Sequence, residues 1–128
     1  MKPSTREWIK KAESDWQLAV ALSRRRKMTF HDQACFHCQQ SAEKYLKARL
    51  EEADIRFRKT HDLDKLLQDV TPVEPLWAAL LPALQGLNRY AVEFRYPGEE
   101  ATAEDLKEAM KLAKAVRREA RLALGLKV

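Results

Sequence analysis

Glycine is scarce in this sequence, with three residues in 128. Turns through positive φ usually need glycine, so a fold built from many tight turns is disfavoured. Cysteine is scarce too. The two cysteines, Cys35 and Cys38, lie three positions apart, which excludes a disulfide framework. No apolar run approaches the length of a membrane span. The opening MKPSTREWIKK lacks the continuous apolar stretch of a signal peptide. These absences predict a soluble, cytoplasmic protein with no membrane contact.

What is present favours helix. Ala, Leu, Glu, Lys and Arg dominate, and these are strong helix formers. Acids and bases alternate at close spacing, as on solvated helix surface. A chain of 128 residues suits one domain, residues 1–128, with a single packed core. The formal net charge of +5 favours anionic partners such as nucleotides, RNA or an acidic protein face, without choosing among them.

Apolar spacing predicts an all-α protein, an up-and-down bundle of four to five helices joined by short loops. Ser4 and Glu7 have capping-box spacing, followed by an apolar face of Ile9, Ala12, Trp16, Ala19 and Val20. That helix should fade near SRRRK, residues 23–27, where basic residues suit its negative end. A second helix is predicted from about Phe30–Asp32 to Ala53. A third, with Thr60 as N-cap, carries Leu63, Leu66, Leu67 and Val70, and Pro72 and Pro75 end it. Pro82 and Gly86 should interrupt the next stretch, with a restarted helix through LNRYAVEF. YPGEE is a turn. Thr102 with Asp105 caps the last helix, which carries Leu106, Ala109, Met110, Ala113, Val116 and Ala120 and closes at Gly125.

The stretch ACFHCQQSAEKYLKA, residues 34–48, places Cys35, His37 and Cys38 close together. At about 100° per helical residue, Cys35 and Cys38 share the core stripe with Ala42, Tyr45 and Leu46. His37 lies roughly 200° from Cys35 by the same rotation, on a polar face with Gln40, Lys44, Lys47 and Glu51. Cys35 and His37 therefore cannot hold one ion on an intact helix, and a structural zinc needs about four ligands. A Cys–His nucleophile fails on the same geometry. The cysteines read as small buried hydrophobes, and no metal or cofactor is implied.

KTHDL, residues 59–63, sets a histidine and an acid at a helix start. RYAVEFRYP, residues 89–97, sets two Arg and two Tyr before a Pro-Gly turn. Arg beside Tyr suits gripping a phosphate while stacking on a ring. The alternative is that Tyr90 and Phe94 pack in the core while Arg89 and Arg95 bridge to acids.

FHCQQSAEKYLKARL, then KTHDLDKLL, then RYAVEFRYPGE, in that order and at that spacing, resemble the HEPN family over nearly the whole chain. The resemblance implies a helical bundle that commonly dimerises. It also implies a place beside a small nucleotidyltransferase of the MNT type, in a toxin–antitoxin module or as its substrate-binding subunit. Many HEPN proteins are metal-independent ribonucleases marked by Arg, four to six spacers, then His. In that chemistry His moves the 2′-hydroxyl proton and Arg holds the charge developing on phosphate.

At the expected place, Arg89, the positions after four to six spacers are Phe94, Arg95 and Tyr96, none a histidine. The bare spacing does occur from Arg56 to His61, and from the Arg24–Arg26 cluster to His31. In a chain this rich in arginine, about one such match arises by chance. The leading expectation is therefore a homodimeric HEPN subunit that binds nucleotide or RNA through Lys44, Lys47, His61, Arg89, Arg95 and Tyr96. Arg89 and Arg95 would hold phosphate and Tyr96 would stack. The alternative is a metal-independent endoribonuclease in which His61 transfers the proton and Arg56 or Arg95 clamps phosphate. Trp8, Trp16, Trp77 and Phe57 offer much apolar surface. Trp16 is expected in the core, and Trp77 is the better candidate for a dimer interface.

Overall fold

The computed structural model describes residues 1–92 and 96–128. Among these the regular structure is all helical: α1 (Pro3–Ser23), α2 (His31–Glu52), α3 (Leu63–Val70), a 3₁₀ segment (Pro75–Leu80), α4 (Leu81–Asn88) and α5 (Ala103–Ala123). The all-α bundle expected from composition and apolar spacing is what forms. α2 is the central helix, packed against α1, α3, α4 and α5. Its apolar stripe of Cys35, Cys38, Ala42, Tyr45 and Leu46 is buried, and meets Ala12 and Ala19 of α1 and Ala109, Ala113, Val116 and Ala120 of α5. The small residues on α1 and α5 let both helices lie close against α2.

The helix ends follow local chemistry, with some departures from expectation. α1 starts at Pro3, and its N-cap is Lys2 with no side-chain cap bond. The predicted Ser4–Glu7 capping box does not form, because proline pre-set for the first turn begins the helix two residues earlier, with Lys2 in place of Ser4 as N-cap. Thr5, not Ser4, turns inward, donating from its hydroxyl to Glu52 Oε1 at 2.9 Å. α3 is capped by Asp62, whose side chain accepts from Asp64 N, rather than by Thr60. Thr60 acts one step earlier, with Oγ1 accepting from Asp62 N at 3.0 Å. The Thr102–Asp105 capping box is present at α5 with both reciprocal bonds. Gly125 closes α5 at φ 74°. There Leu126 N bonds to Arg121 O at 2.8 Å and Gly125 N to Leu122 O at 3.1 Å, the paired closure that a left-handed residue permits.

The 75–88 region also differs from expectation. Pro82 falls in the first turn of α4, where proline is tolerated, so it starts a helix rather than breaking one. Gly86 lies inside α4 because α5 comes close. A Cβ there would stand 2.6 Å from Leu112 Cδ1. α4 ends at Asn88 with Arg89 as its C-cap, so no helix continues through Arg89–Val92. Trp77 is buried at 4% exposure, whereas its neighbour Leu76 is 89% exposed. The 3₁₀ turn points Trp77 into the core, which removes it as an interface residue. Trp16 packs against the core cluster, as its place on the α1 stripe predicted.

Candidate functional site

The site is built on α2. With four helices around it, α2 buries more than half of its 22 residues. Some of these normally sit in water: Gln39, Ser41 and Glu43 are buried, and so are Gln40 and Lys47. A buried charge costs several kcal/mol unless it is paired. Glu43 is the hub of the pairing. Its Oε2 accepts from Lys47 Nζ at 3.0 Å, and its Oε1 meets His61 Nδ1 at 2.8 Å. Gln39 Nε2 donates to the backbone oxygen of His61 at 3.1 Å, and Gln40 Nε2 donates to Gln39 Oε1 at 2.7 Å. The chain between α2 and α3 is thus tied to α2 through both the side chain and the backbone of His61.

An apolar clamp supports the same segment. Trp8 of α1 meets Phe57 edge to face with ring centres 5.9 Å apart. The Lys47 ammonium lies 5.5 Å from the centre of the Trp8 ring, a favourable placement for a cation over an indole. Lys47 is therefore enclosed between Glu43 and Trp8.

His61 itself faces solvent, with 68% of its side chain exposed. The carboxylate contact at Nδ1 fixes the orientation of the ring. A buried acid thus orients an exposed imidazole. A second carboxylate–histidine contact lies on the α1 side. Asp15 Oδ1 meets His37 Nδ1 at 2.8 Å, and Asp15 Oδ2 accepts from Lys44 Nζ at 2.6 Å. His37 thus points away from Cys35, as the helical rotation predicted.

Arg89 follows the last residue of α4 as its C-cap. Asn88 Oδ1 accepts from Leu63 N at 2.9 Å, and Asn88 Nδ2 donates to Asp62 and Asp64, each at 3.3 Å. The end of α4 is thereby fastened to the start of α3. His61 and Arg89 each follow or precede a member of that bonded set, so they flank one junction. The Arg89 side chain is 61% exposed, with Asp105 Oδ2 3.9 Å away. Its guanidinium carbon is 4.9 Å from the centre of the Tyr90 ring. Tyr90 is buried and hydrogen-bonds with Cys35. Burial, then the neighbouring Cys35, push its hydroxyl up to about 12. Tyr96 is exposed. Arg56 is exposed. Arg95 and Phe94 lie outside the described residues.

Burial also raises both thiols, Cys35 to about 11 and Cys38 further. Cys38 Sγ contacts Met110 Sδ at 3.4 Å, and both cysteines are fully enclosed. Among the described residues no group of three or more His, Cys, Asp or Glu is placed to hold a metal ion. Among them, too, no helix is long and apolar enough to cross a membrane.

The HEPN domain model matches residues 5–122. The chain belongs to the HEPN family. The HEPN bundle recurs in the crystal structure of TT1696 from Thermus thermophilus, with a TM-score of 0.78 and 24% identity over 94% of this chain and 98% of that one. It recurs in ST0689, described as an archaeal HEPN homologue, with a TM-score of 0.73 and 24% identity over 94% of this chain and 97% of that one. No curated protein matches the chain. At this identity the two structures speak for the HEPN fold alone.

Sequence reasoning singled out His61, Lys44, Lys47 and Arg89 but missed Glu43, Gln39, Asn88 and Asp15, which position them. Glu43 reads as one more acid on a mixed-charge helix. The signal lay in the run QQSAEK, residues 39–44. Polar residues crowd there on the helix that the bundle surrounds.

Proposed function

We propose that this HEPN protein is a nucleotide- or RNA-binding subunit that dimerises and partners a small MNT-type nucleotidyltransferase, in a toxin–antitoxin module. It would work in the cytoplasm as one domain spanning residues 1–128. The observation that carries this reading is the exposed His61, held by buried Glu43 beside the α3–α4 junction that presents Arg89. Arg89 and Arg95 hold phosphate and Tyr96 stacks on a base. Lys44 would reach the ligand only by exchanging its pairing with Asp15 for a phosphate oxygen. Lys47 acts from within, by holding Glu43 in place through its 3.0 Å contact. The missing histidine after Arg89 favours binding over cleavage. Leu76 at 89% exposure, with Val73 and Leu81 also exposed, gives the dimer an apolar edge to bury.

Thermal melting at low salt tests the binding. Nucleotide or RNA should raise the melting temperature of the chain and not that of the Arg89→Ala variant. No shift with either ligand would overturn the reading. Co-purification with the product of a neighbouring nucleotidyltransferase gene tests the partner, and sedimentation showing only monomer at high concentration would remove the dimer.

One observation favours a second reading, a metal-independent endoribonuclease. The Glu43–His61 contact orients an exposed imidazole, the group type that can move a proton from a ribose 2′-hydroxyl. Arg56 or Arg95 would then hold the phosphate. RNA cleavage that persists in chelator and vanishes in His61→Ala would give this reading the lead.

A further inference from the structure

A cleft of about 630 Å³ opens where the α1–α2 loop meets the start of α2 and the first turns of α5. Its polar wall is Ser23, Arg25, Arg26, Thr29, His31 and Lys107, and its floor is Ala103, Leu106 and Met110. These residues are separate from the His61–Arg89 region. Three features bear on what it holds.

The first is charge. The lining carries two guanidinium groups, an ammonium group and an imidazole, with no carboxylate. Four acids adjoin lining residues in sequence, and none lines the cleft. Asp32 Oδ1 accepts from Ala101 N at 2.7 Å, Asp105 Oδ2 accepts from Thr102 N at 2.9 Å, Glu108 lines the separate α4–α5 cleft beside Arg89, and Glu104 is exposed. Among the described residues no ion pair forms at Arg25, Arg26, His31 or Lys107. By contrast, the more enclosed cations of the bundle are matched: Arg117 with Glu13, Arg49 with Glu74, Lys44 with Asp15. Positive charge gathered in a concavity without counter-charge attracts an anion.

The second is pre-organisation. The Arg25 guanidinium carbon lies 5.2 Å from the centre of the Phe30 ring, which holds the planar group against the loop and lowers the entropy lost when it grips a ligand. His31 is the first residue of α2, so the positive end of a long helix faces the same place.

The third is the floor. Leu106 is buried, and Met110 is steadied from beneath by Cys38 Sγ at 3.4 Å. A thioether beside an apolar leucine favours an aromatic body. The volume lies within the range of small-molecule sites, roughly 300–1,000 Å³.

We propose that this cleft is a second binding site, for an aromatic phosphate ester, with Arg25, Arg26 and Lys107 on the phosphate and the ring against Leu106 and Met110. The Arg-to-His spacing before His31, unremarkable as a sequence match, thus brings Arg25, Arg26 and His31 into one concavity.

The test is amide NMR of the full chain at low salt, titrated in separate arms with phenyl phosphate, AMP, inorganic phosphate and phenol. The expected result is saturable shifts at Thr29, His31 and Leu106 with phenyl phosphate or AMP, weaker ones with inorganic phosphate and none with phenol. Saturation by AMP as well as phenyl phosphate would mean the floor accepts a nucleobase, and by phenyl phosphate alone a smaller ring. Either supports the site. In Arg25→Gln/Arg26→Gln the dissociation constant should rise roughly tenfold or more, as for lost charge-assisted hydrogen bonds. Lys107→Gln, on an exposed helical position, should weaken binding without altering the fold. His61→Ala and Arg89→Ala should leave these shifts unchanged, which separates this site from the proposed His61–Arg89 surface. Absence of saturable shifts in the cleft, shifts indifferent to the arginine and lysine variants, or shifts centred on His61 and Arg89 would each overturn the proposal.

Discussion

Glu43 Oε1 lies 2.8 Å from His61 Nδ1, joining a nearly enclosed carboxylate to a largely exposed imidazole. The same carboxylate holds Lys47 through its other oxygen. One residue of the central helix therefore fixes both the inside of the bundle and the orientation of a surface group.

Removing Glu43 should be costly for that reason. Glu43→Ala leaves the Lys47 ammonium buried without its anion, a loss of about 3–5 kcal/mol. Glu43→Leu combined with Lys47→Met should recover most of it, since apolar groups of similar volume replace the pair. Urea unfolding of the single and double variants checks this. A double variant as unstable as Glu43→Ala would contradict the assignment.

Acid stability should depend on Glu13. Burial by itself would raise this carboxyl. Hydrogen bonds from Arg117, Tyr45 and Gln17 outweigh burial and hold it down at about 2. A depressed carboxylate stabilises the fold at pH values above its unfolded value, and that stability is lost as pH falls through the folded one. The protein should therefore lose stability between about pH 4.5 and pH 2, from the unfolded value down to the folded one. Glu13→Gln should flatten that limb and cost about 2–3 kcal/mol at neutral pH through its charge-assisted bonds. Melting temperatures across the range measure both effects.

Asn88→Ala should loosen the α3–α4 junction. It removes the acceptor for Leu63 N, whose bond length is 2.9 Å. A cost of about 1–2 kcal/mol is expected, with faster hydrogen exchange confined to the first turn of α3. Exchange unchanged at Leu63 would count against the fastening role.

The thiols should be inert in the folded state. Cys35 and Cys38 are fully buried, and burial raises both above the ordinary thiol range. A thiol reagent at pH 8 should label neither cysteine until denaturant opens the bundle. Rapid labelling of the native chain would contradict their place in the core.

Much of the fold was legible in the sequence because period-3.6 stripes report directly on burial. Leu63, Leu66, Leu67 and Val70 were read as one face and are all buried, and Thr102 with Asp105 forms the expected box. The misreadings arose where neighbours outrank local pattern. Ser4 lost its cap to Pro3, and Gly86 stays helical because α5 crowds it. Trp77 turns inward on a 3₁₀ segment whose register spacing alone does not reveal. In the site, the exposed members were legible by chemical type. Glu43, Gln39 and Asn88 were not, since their role rests on contacts across 18 to 26 residues of sequence. Arg95, a candidate phosphate ligand, lies outside the described residues.

The most direct test of the central claim is anisotropy of a labelled RNA oligomer at low salt with chelator present, with strand integrity read on a gel from the same samples. The account predicts saturable binding to intact RNA, weakened by Arg89→Ala and His61→Ala. No binding, or cleavage abolished by His61→Ala, would contradict a binding subunit, and the second result would assign the site to a nuclease.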